Sequence, residues 1–236
     1  MLKVSNLKVK LGEIIILKDI SLDLKKGEKI GIIGPNGHGK TTTMKTILGI
    51  FDPLDGQILF NDDKINGLDS GEIVEKGITL VPEGGHLFPE MTVKENLLLG
   101  AYNSRANKKK NEMLELVYDI FPKLKKISGQ LCNTLSGGEN RMVSVGRGLM
   151  SSPEILILDE PTLGLAPNLV EDMKNKLIKI NKRLGISMIL TDENMDLIEE
   201  FSDRVYFLEN GEIKIEGSPK EVLTNKYVKE TFLGLE

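Results

Sequence analysis

The chain has little of several features that would point to other classes of protein. Its 236 residues contain one cysteine, Cys132, and two histidines. A single cysteine excludes an internal disulfide framework, and the lack of paired Cys/His spacing argues against a structural zinc site. No apolar run approaches the roughly 20 residues that span a bilayer, and the amino terminus lacks the apolar segment of a signal peptide. We therefore expect a protein of a reducing compartment that reaches a membrane only through a partner.

An excess of positive charge is also missing. The chain carries 31 Lys and Arg against 35 Asp and Glu, and its formal charge is -4. Nucleic-acid-binding domains normally carry a basic stripe, so we expect no nucleic-acid partner. The one basic cluster, at 104–112, is typical of a solvated helix entry. The hydrophobic content of 40% is enough to bury the core of one large domain.

The first half of the chain changes from strand patterns to helix patterns. Short alternating or apolar runs fill the first 33 residues, and "GQILFNDDKING" predicts an edge strand that turns at Asn66-Gly67. From about residue 92 to 150 the pattern is mostly helical, with capping boxes at Thr92 to Glu95 and Ser136 to Glu139.

In the second half of the chain, strand and helix patterns alternate, as they do in an α/β domain. "EILILDEP" predicts a buried strand, and "APNLVEDMKNKLIKINKRLG" an amphipathic helix that ends at Gly185. "ISMILT" predicts another buried strand, followed by a hairpin about Asn210-Gly211. We predict one α/β domain over residues 1–236, with a helical subdomain inserted at about 87–150.

A phosphate-binding loop follows the apolar strand "KIGII". The run "GPNGHGKTT" matches GxxxxGK[ST], and it lies before a helical pattern, as the motif requires. Lys40 would reach the β- and γ-phosphates of a nucleotide, and Thr41 would offer its hydroxyl to Mg²⁺. His38 is interpreted as a side chain that lies over the loop without a catalytic role. The predicted nucleotide-binding residues are Gly34, Pro35, Asn36, Gly37, His38, Gly39, Lys40, Thr41 and Thr42.

Two adjacent carboxylates end the buried strand "ILILD". Beside a phosphate loop, Asp159 suits a Mg²⁺ role and Glu160 can orient and deprotonate an attacking water. The strand "ISMILT" ends in a similar way, in Asp192 and Glu193. These acids are open to three interpretations from the residues alone: metal ligands, catalytic acids or the polar start of a helix.

The segment "LSGGEN" at 135–140 predicts a second helix amino terminus. Two interpretations of this terminus stay open: a capped helix and no more, or a second anion site built from a serine hydroxyl and uncovered N–H groups. Two such termini with one phosphate loop indicate that the second serves a neighbouring molecule.

The ordered set "GPNGHGKTT", "LVPEGGHLFPEMTVKENL", "LSGGE" and "ILILDEPTLGLAP" resembles the ATP-binding cassette of ABC transporters, over essentially the whole chain. The likeness is greatest to the ATPase subunits of branched-chain amino-acid importers, because of "VPEGG", "DIFPKL", "GRGLM" and "TLGLAP". The ATPase of lipopolysaccharide export is the nearest rival, since its "TDHN" resembles "TDEN" here. The resemblance implies a P-loop NTPase fold with a mixed central sheet, an amino-terminal antiparallel β subdomain and an inserted helical subdomain.

The resemblance also implies a cofactor, partners and a location. ATP and Mg²⁺ would be bound between two cassettes, so that each phosphate loop faces the signature segment of the partner. The signature segment consists of Leu135, Ser136, Gly137, Gly138 and Glu139. The partners would be a second cassette, as a homodimer or heterodimer, and integral-membrane permease subunits that contact residues near 84–95. An extracytoplasmic solute-binding protein would act indirectly, and the cassette would lie at the cytoplasmic face of the membrane. A plain loop leading into a capped helix is the alternative for 84–95.

The resemblance to the family has specific consequences at three positions. Glu83 matches the position whose residue contacts Mg²⁺ and the attacking water, which gives Thr41, Glu83 and Asp159 as the expected metal ligands. Glu193 occupies the place of the switch histidine, where an extra negative charge would disfavour the charged transition state. Leu11 stands where the family has the aromatic that stacks on adenine, and the first aromatic of the chain is Phe51.

These features leave competing hypotheses. The first is the ATPase of an amino-acid importer, with Glu160 as catalytic base. The second is an ATP-dependent dimerisation module with slow hydrolysis, which Glu193 favours, and the third is the ATPase of another transporter such as lipopolysaccharide export. A soluble repair or ribosome-acting cassette is disfavoured by the acidic charge and by the single cassette in the chain.

Overall fold

The computed structural model describes residues 1–233, and in that part of the chain ten strands form one mixed sheet. The strands, in chain order, are β1 (Leu2–Leu11), β2 (Ile14–Leu24), β3 (Lys29–Ile33), β4 (Asp55–Phe60), β5 (Asp63–Lys64), β6 (Ile78–Val81), β7 (Ile155–Asp159), β8 (Ser187–Thr191), β9 (Arg204–Glu209) and β10 (Glu212–Gly217).

Eleven α-helices surround this sheet in the same described part. They are α1 (Lys40–Ile47), α2 (Ser70–Lys76), α3 (Val93–Leu99), α4 (Ser104–Lys108), α5 (Lys110–Ile120), α6 (Pro122–Lys126), α7 (Gly137–Met150), α8 (Pro167–Leu184), α9 (Met195–Phe201), α10 (Pro219–Thr224) and α11 (Lys226–Leu233). A short 3-10 helix, Cys132–Thr134, precedes α7.

The strand order, β5-β4-β1-β2-β10-β9-β3-β8-β7-β6, divides the sheet into two parts. The amino-terminal strands β1, β2, β4 and β5 pair antiparallel. Strands β9, β3, β8, β7 and β6 are parallel. The predicted mixed sheet with an amino-terminal antiparallel part is therefore confirmed. Since the carboxyl ends of parallel strands meet at one edge, the loops after β3, β6, β7 and β8 gather at one place.

The central strands are mostly apolar because both faces of the sheet are covered. Every residue of β7 and β8 is buried. One hydrophobic core lies between the sheet and helices that include α7, α8 and α9, and a second includes α1 and the amino-terminal strands. Burial on both faces makes these strands rigid supports for the residues that follow them.

Helices α3 to α7 fall between β6 and β7, where the sequence pattern predicts an inserted helical subdomain. α7 packs on α3, α5 and α6, which gives this group its own share of the core. Both predicted capping boxes are present, at Thr92 to Glu95 and at Ser136 to Glu139. The boundaries of about 87 and 150 stay a prediction.

The pattern analysis missed four short elements. Strand β6 has four residues and helix α2 has seven, while α10 and α11 have six and eight. Elements of one or two turns show too few residues for a period to emerge, and tertiary contacts fix them instead. β6 matters most for function, because Glu83 follows it.

None of the helices within residues 1–233 is both long enough and apolar enough to cross a membrane.

Arg204 joins the two parts of the sheet through its guanidinium. It pairs with Asp23 at the end of β2 at 3.0 Å, with Glu28 before β3 at 3.0 Å and with Glu216 of β10 at 2.5 Å. The guanidinium also lies over the ring of Tyr206. A charged group that satisfies three acids at a strand junction contributes more than an isolated surface pair.

Replacing this arginine with methionine should weaken the junction. Arg204→Met keeps most of the side-chain volume but leaves the acids unpaired, so we expect the free energy of unfolding at pH 7 to fall by about 2 kcal/mol in urea titrations. Arg204 holds the pKa of Asp23 below its usual value. That part of the stability is present above the pKa of the unfolded carboxyl and is lost as pH falls through the lower folded pKa, so the difference between the proteins should shrink below about pH 4.

Lys10→Met is the matched control, because it breaks an exposed pair with Glu13. We expect it to change the free energy of unfolding by less than about 0.5 kcal/mol. An equal loss in the two variants would contradict the assigned role of Arg204.

Candidate functional site

Three glycines in the loop between β3 and α1, Gly34, Gly37 and Gly39, have positive φ values that favour glycine, and at two of them a side chain would also collide with a neighbour. Gly34 has a φ of 152°, and a Cβ there would lie 1.9 Å from the carbonyl oxygen of Leu208 on β9. Gly39 caps α1 with a φ of 113°, and its Cβ would lie 2.6 Å from a methyl of Leu17. These close approaches explain why the motif has glycine at both positions.

The ammonium of Lys40 is buried inside this loop. Its Nζ donates to the carbonyl oxygens of Gly34 at 2.7 Å and Pro35 at 3.2 Å, and lies 3.4 Å from Oδ1 of Asn36. Burial lowers the pKa of Lys40, while the charges of Glu160, Glu193 and Asp159 oppose that shift.

Glu160 lies at the end of β7 in a left-handed backbone conformation, with a φ of 48°. Its N–H donates to the carbonyl oxygen of Thr191 on β8 at 2.9 Å, which holds this turn against the next strand. Burial raises the pKa of the Glu160 carboxyl, the charge of Glu83 raises it further, and Lys40 opposes both. A carboxylate with a raised pKa is a stronger base at the same place.

Asp159 is buried beside it and has a different environment. Its Oδ1 accepts a hydrogen bond from the Thr191 hydroxyl at 2.7 Å. Asp192, after β8, is also buried, and it accepts from the Thr162 hydroxyl at 2.6 Å and from the N–H of Asn194 at 3.0 Å. The interpretation of Asp192 as a polar helix entry is therefore incomplete, since its carboxylate ties the turn after β7 to the turn after β8.

Glu193 contacts the phosphate loop directly. Its Oε1 accepts a hydrogen bond from Nδ2 of Asn36 at 2.6 Å. The side chain of Asn36 thus lies between the Glu193 carboxylate and the Lys40 ammonium. The acids at the end of β8 thus separate into a buried structural residue, Asp192, and an exposed residue that faces the loop.

A recess of about 230 Å³ lies where these elements meet. It brings together most of the predicted phosphate and metal groups, while the Asp159 side chain lies beneath it and not in its lining. The lining residues are Asn36, Gly37, Gly39, Lys40, Thr41, Thr42, Glu83 and Glu160.

The signature segment stands apart from this recess, since no residue of 135–139 lines it. Ser136 caps α7, and its hydroxyl and N–H both donate to Glu139 at 2.7 Å. These bonds and the ammonium of Lys123, 3.0 Å away, lower the pKa of Glu139 to about 2. The segment is therefore a preformed, charged helix terminus without a nucleotide loop of its own chain beside it.

His38 lines a second recess, of about 220 Å³, with three isoleucines of β2. Its Nδ1 accepts from the N–H of Asn210 at 3.2 Å, which fixes the ring over the β9–β10 turn. The isoleucines include Ile14, which is two-thirds exposed. Leu11 packs instead against the amino-terminal core.

A third recess, of about 680 Å³, is a groove between α2, β6 and the helices α3 and α7. Phe88, Leu99 and Tyr102 present exposed apolar surface along it, and Tyr102 is 94% exposed. His86 and Phe88 belong to the segment near 84–95 that is expected to meet a membrane subunit.

Sequence reasoning missed two groups that support the site. Thr191 orients Asp159, and Arg147 of α7 donates to the carbonyl oxygens of Gly85 and His86. No catalytic or binding motif assigns a role to either residue, so the sequence offers no signal that singles them out.

Comparisons with known proteins agree with this geometry. The profile of the ABC transporter family matches residues 17–163. The high-affinity branched-chain amino acid transport ATP-binding protein BraG of Pseudomonas aeruginosa is 38% identical and covers 94% of this chain and 95% of its own. The lipopolysaccharide export system ATP-binding protein LptB of Escherichia coli is 31% identical, over 93% of this chain and 91% of its own.

Solved structures give the same result. The ADP conformation of an ATP-binding cassette of an ABC transporter superposes with a TM-score of 0.86 at 30% identity, over 99% of this chain and 98% of that one. A dimeric cassette bound to ADP and Pi, a post-hydrolysis state, has a TM-score of 0.78 at 28% identity, over 93% and 99%. The predicted resemblance and fold class are confirmed: the chain belongs to the ABC transporter family and is one of its ATP-binding cassettes, an ATPase.

Proposed function

We propose that the protein is the ATP-hydrolysing subunit of an ABC importer for branched-chain or similar hydrophobic amino acids. The observation that carries the proposal is the recess in which Lys40 of the phosphate loop and Glu160 after β7 meet. The higher identity to BraG than to LptB, 38% against 31%, favours amino-acid import over lipopolysaccharide export.

The phosphates of ATP would enter along the loop 34–42, where backbone N–H groups and the amino terminus of α1 favour negative charge. Lys40 would exchange the carbonyl oxygens of Gly34 and Pro35 for phosphate oxygens. The buried ammonium would therefore have hydrogen-bond acceptors both with and without nucleotide, so binding would not leave its charge unpaired.

Glu160 would then activate the attacking water. Its carboxylate is in the recess beside Lys40, and its raised pKa makes it a better proton acceptor. Asp159 is held in place by Thr191, and it supplies negative charge beneath the same strand end.

The donors around the recess fit Mg²⁺. Thr41, Glu83 and Asp159 offer oxygen ligands, and Mg²⁺ usually takes one or two carboxylates together with phosphate oxygens and water. Within residues 1–233 no three His, Cys, Asp or Glu side chains form a metal centre by themselves. The ion would therefore bind with the nucleotide, where it would neutralise charge that develops on the phosphates.

The signature segment would act on the ATP of a second cassette. Ser136 and Gly137 form the exposed start of α7, with Gly138 buried behind them, and this terminus lies outside the chain's own recess, which suits the phosphate of a neighbouring molecule. We expect the isoleucine and His38 recess to receive the base, with apolar contact in place of aromatic stacking.

The groove lined by Phe88, Leu99 and Tyr102 would receive a helix of a permease subunit at the cytoplasmic face of the membrane. Its exposed apolar side chains suit an amphipathic partner helix. A solute-binding protein outside the cell would act through that permease and choose the amino acid.

A second candidate function is a cassette that closes on ATP but hydrolyses it slowly. The hydrogen bond between Glu193 and Asn36 favours it, because it holds a negative charge beside the loop that binds the γ-phosphate.

Glu160→Gln tests the assignment of the base. The amide keeps the shape but cannot accept the proton, so we expect hydrolysis to fall by at least about 100-fold while ATP binding remains and an ATP-dependent dimer accumulates. Phosphate release and size-exclusion chromatography with ATP measure the two effects. Glu112→Gln, at an exposed position on α5, is the matched control, and an unchanged rate in Glu160→Gln would remove Glu160 as the base.

Glu193→His and Glu193→Gln distinguish the two candidate functions. Both remove the negative charge, and we expect the turnover number to rise by about tenfold, since charge close to the γ-phosphate acts on the transition state at that scale. Steady-state ATPase assays on the full chain measure it. A turnover number that stays the same or falls in both variants would show that the carboxylate does not slow hydrolysis.

Phe88→Glu tests the permease groove and the transported solute together. A buried charge would oppose apolar docking, so we expect at least about a tenfold loss of co-purification with the permease pair. Proteoliposomes with the whole importer should show ATP-driven leucine uptake with wild-type protein and little with the variant. Leu54→Glu, an equally exposed apolar position outside the groove, is the control. Wild-type proteoliposomes without uptake of any branched-chain amino acid would contradict the proposed solute class.

A further inference from the structure

The segment after Glu83 has an unusual backbone. Gly84, Gly85 and His86 are three consecutive residues with left-handed φ values of 73°, 72° and 43°. His86 carries a side chain in a conformation that favours glycine, and such a conformation persists only where surrounding contacts hold it. The question is which contact holds this loop.

Arg147 holds it from helix α7. Its Nη2 donates to the carbonyl oxygen of Gly85 at 2.6 Å, and its Nη1 donates to that of His86 at 3.0 Å. A planar guanidinium can bind two consecutive carbonyls at once, which an ammonium cannot do with the same geometry. Burial lowers the pKa of Arg147 from its ordinary value.

The same face of α7 also limits the space around the loop. A Cβ on Gly85 would lie 2.0 Å from the hydroxyl of Ser144, one turn before Arg147. The N–H of Gly85 donates back to the carbonyl oxygen of Pro82 at 3.0 Å. The loop is thus fitted to α7 closely, with no room for a larger residue.

Two functional surfaces meet at this loop. Glu83, immediately before it, lines the recess with Lys40 and Glu160. His86 and Arg147 both line the groove proposed for the permease. α7 itself begins at the signature segment. One guanidinium therefore connects a wall of the groove with the backbone that carries Glu83.

We propose that Arg147 is the positioning residue that holds Glu83 at the catalytic recess. With the guanidinium in place, the left-handed loop has one arrangement and Glu83 stays beside Glu160. Without it, the two carbonyls lose their donors, the loop relaxes and Glu83 leaves its position, which lowers turnover although Lys40 and Glu160 are intact. This inference rests on the role of Glu83 in the proposed function.

Arg147→Lys is the sharpest test, because it keeps the charge and removes the paired donors. We expect the turnover number of the full chain to fall by about tenfold, with less than about a twofold change in KM for ATP, because the nucleotide contacts are elsewhere. Arg183→Lys is the matched control and should leave turnover unchanged. Arg183 lies on α8 and forms a surface ion pair with Asp119 of α5. Thermal unfolding of both variants reports on the fold.

A double-mutant cycle distinguishes positioning from general support of the fold. If Arg147 acts through Glu83, then Arg147→Lys should lower turnover by less than about twofold in a Glu83→Ala background. A loss of the same factor in both backgrounds would overturn the inference and leave the proposed function standing. Unchanged turnover in Glu83→Ala would contradict the role of Glu83 in the proposed function, and the inference with it.

Gly85→Ala provides a second variant that leaves Arg147 in place. The added Cβ meets Ser144 and pushes the loop away from α7. We expect the same loss of turnover as in Arg147→Lys, with the same dependence on Glu83. Wild-type turnover in a folded Gly85→Ala protein would show that the loop position does not matter, which would overturn the inference.

Discussion

The pairing of one buried ammonium, that of Lys40, is the interaction on which the site depends. Lys40 is 5% exposed, and a charge in such a place must have partners. The loop supplies two carbonyl oxygens, and Glu160 and Glu193 contribute negative charge from the ends of neighbouring strands. The arrangement requires a loop that turns back on itself, which explains the close approach of Gly34 to β9.

The carboxylates around that ammonium are not equivalent. Asp159 is buried and fixed by a hydroxyl, whereas Glu160 is partly exposed and has a raised pKa. The environments of these two neighbours differ because the strand ends at Asp159 and the backbone reverses direction at Glu160. Adjacent acids in one chain segment can therefore differ in burial and in hydrogen-bond partners.

The groove and the recess lie on the two sides of one short segment. The segment from Glu83 to Phe88 contributes side chains to both, and Arg147 holds its middle. A well-packed loop with one arrangement transmits a displacement, whereas a loose one absorbs it.

The sequence by itself determined the family, the phosphate loop, the acids Asp159 and Glu160 and most of the long elements. Those features are local, because glycine spacing, apolar runs and capping boxes act between neighbours in the chain. Short elements such as β6 and α2 were missed, because they show too little periodicity. Only the tertiary structure decided that Asp192 binds Thr162, that Glu193 faces Asn36 and that Arg147 holds the loop after Glu83. Each of these contacts joins residues at least 30 positions apart, and the strand order of the sheet, which no local pattern encodes, is what brings them together.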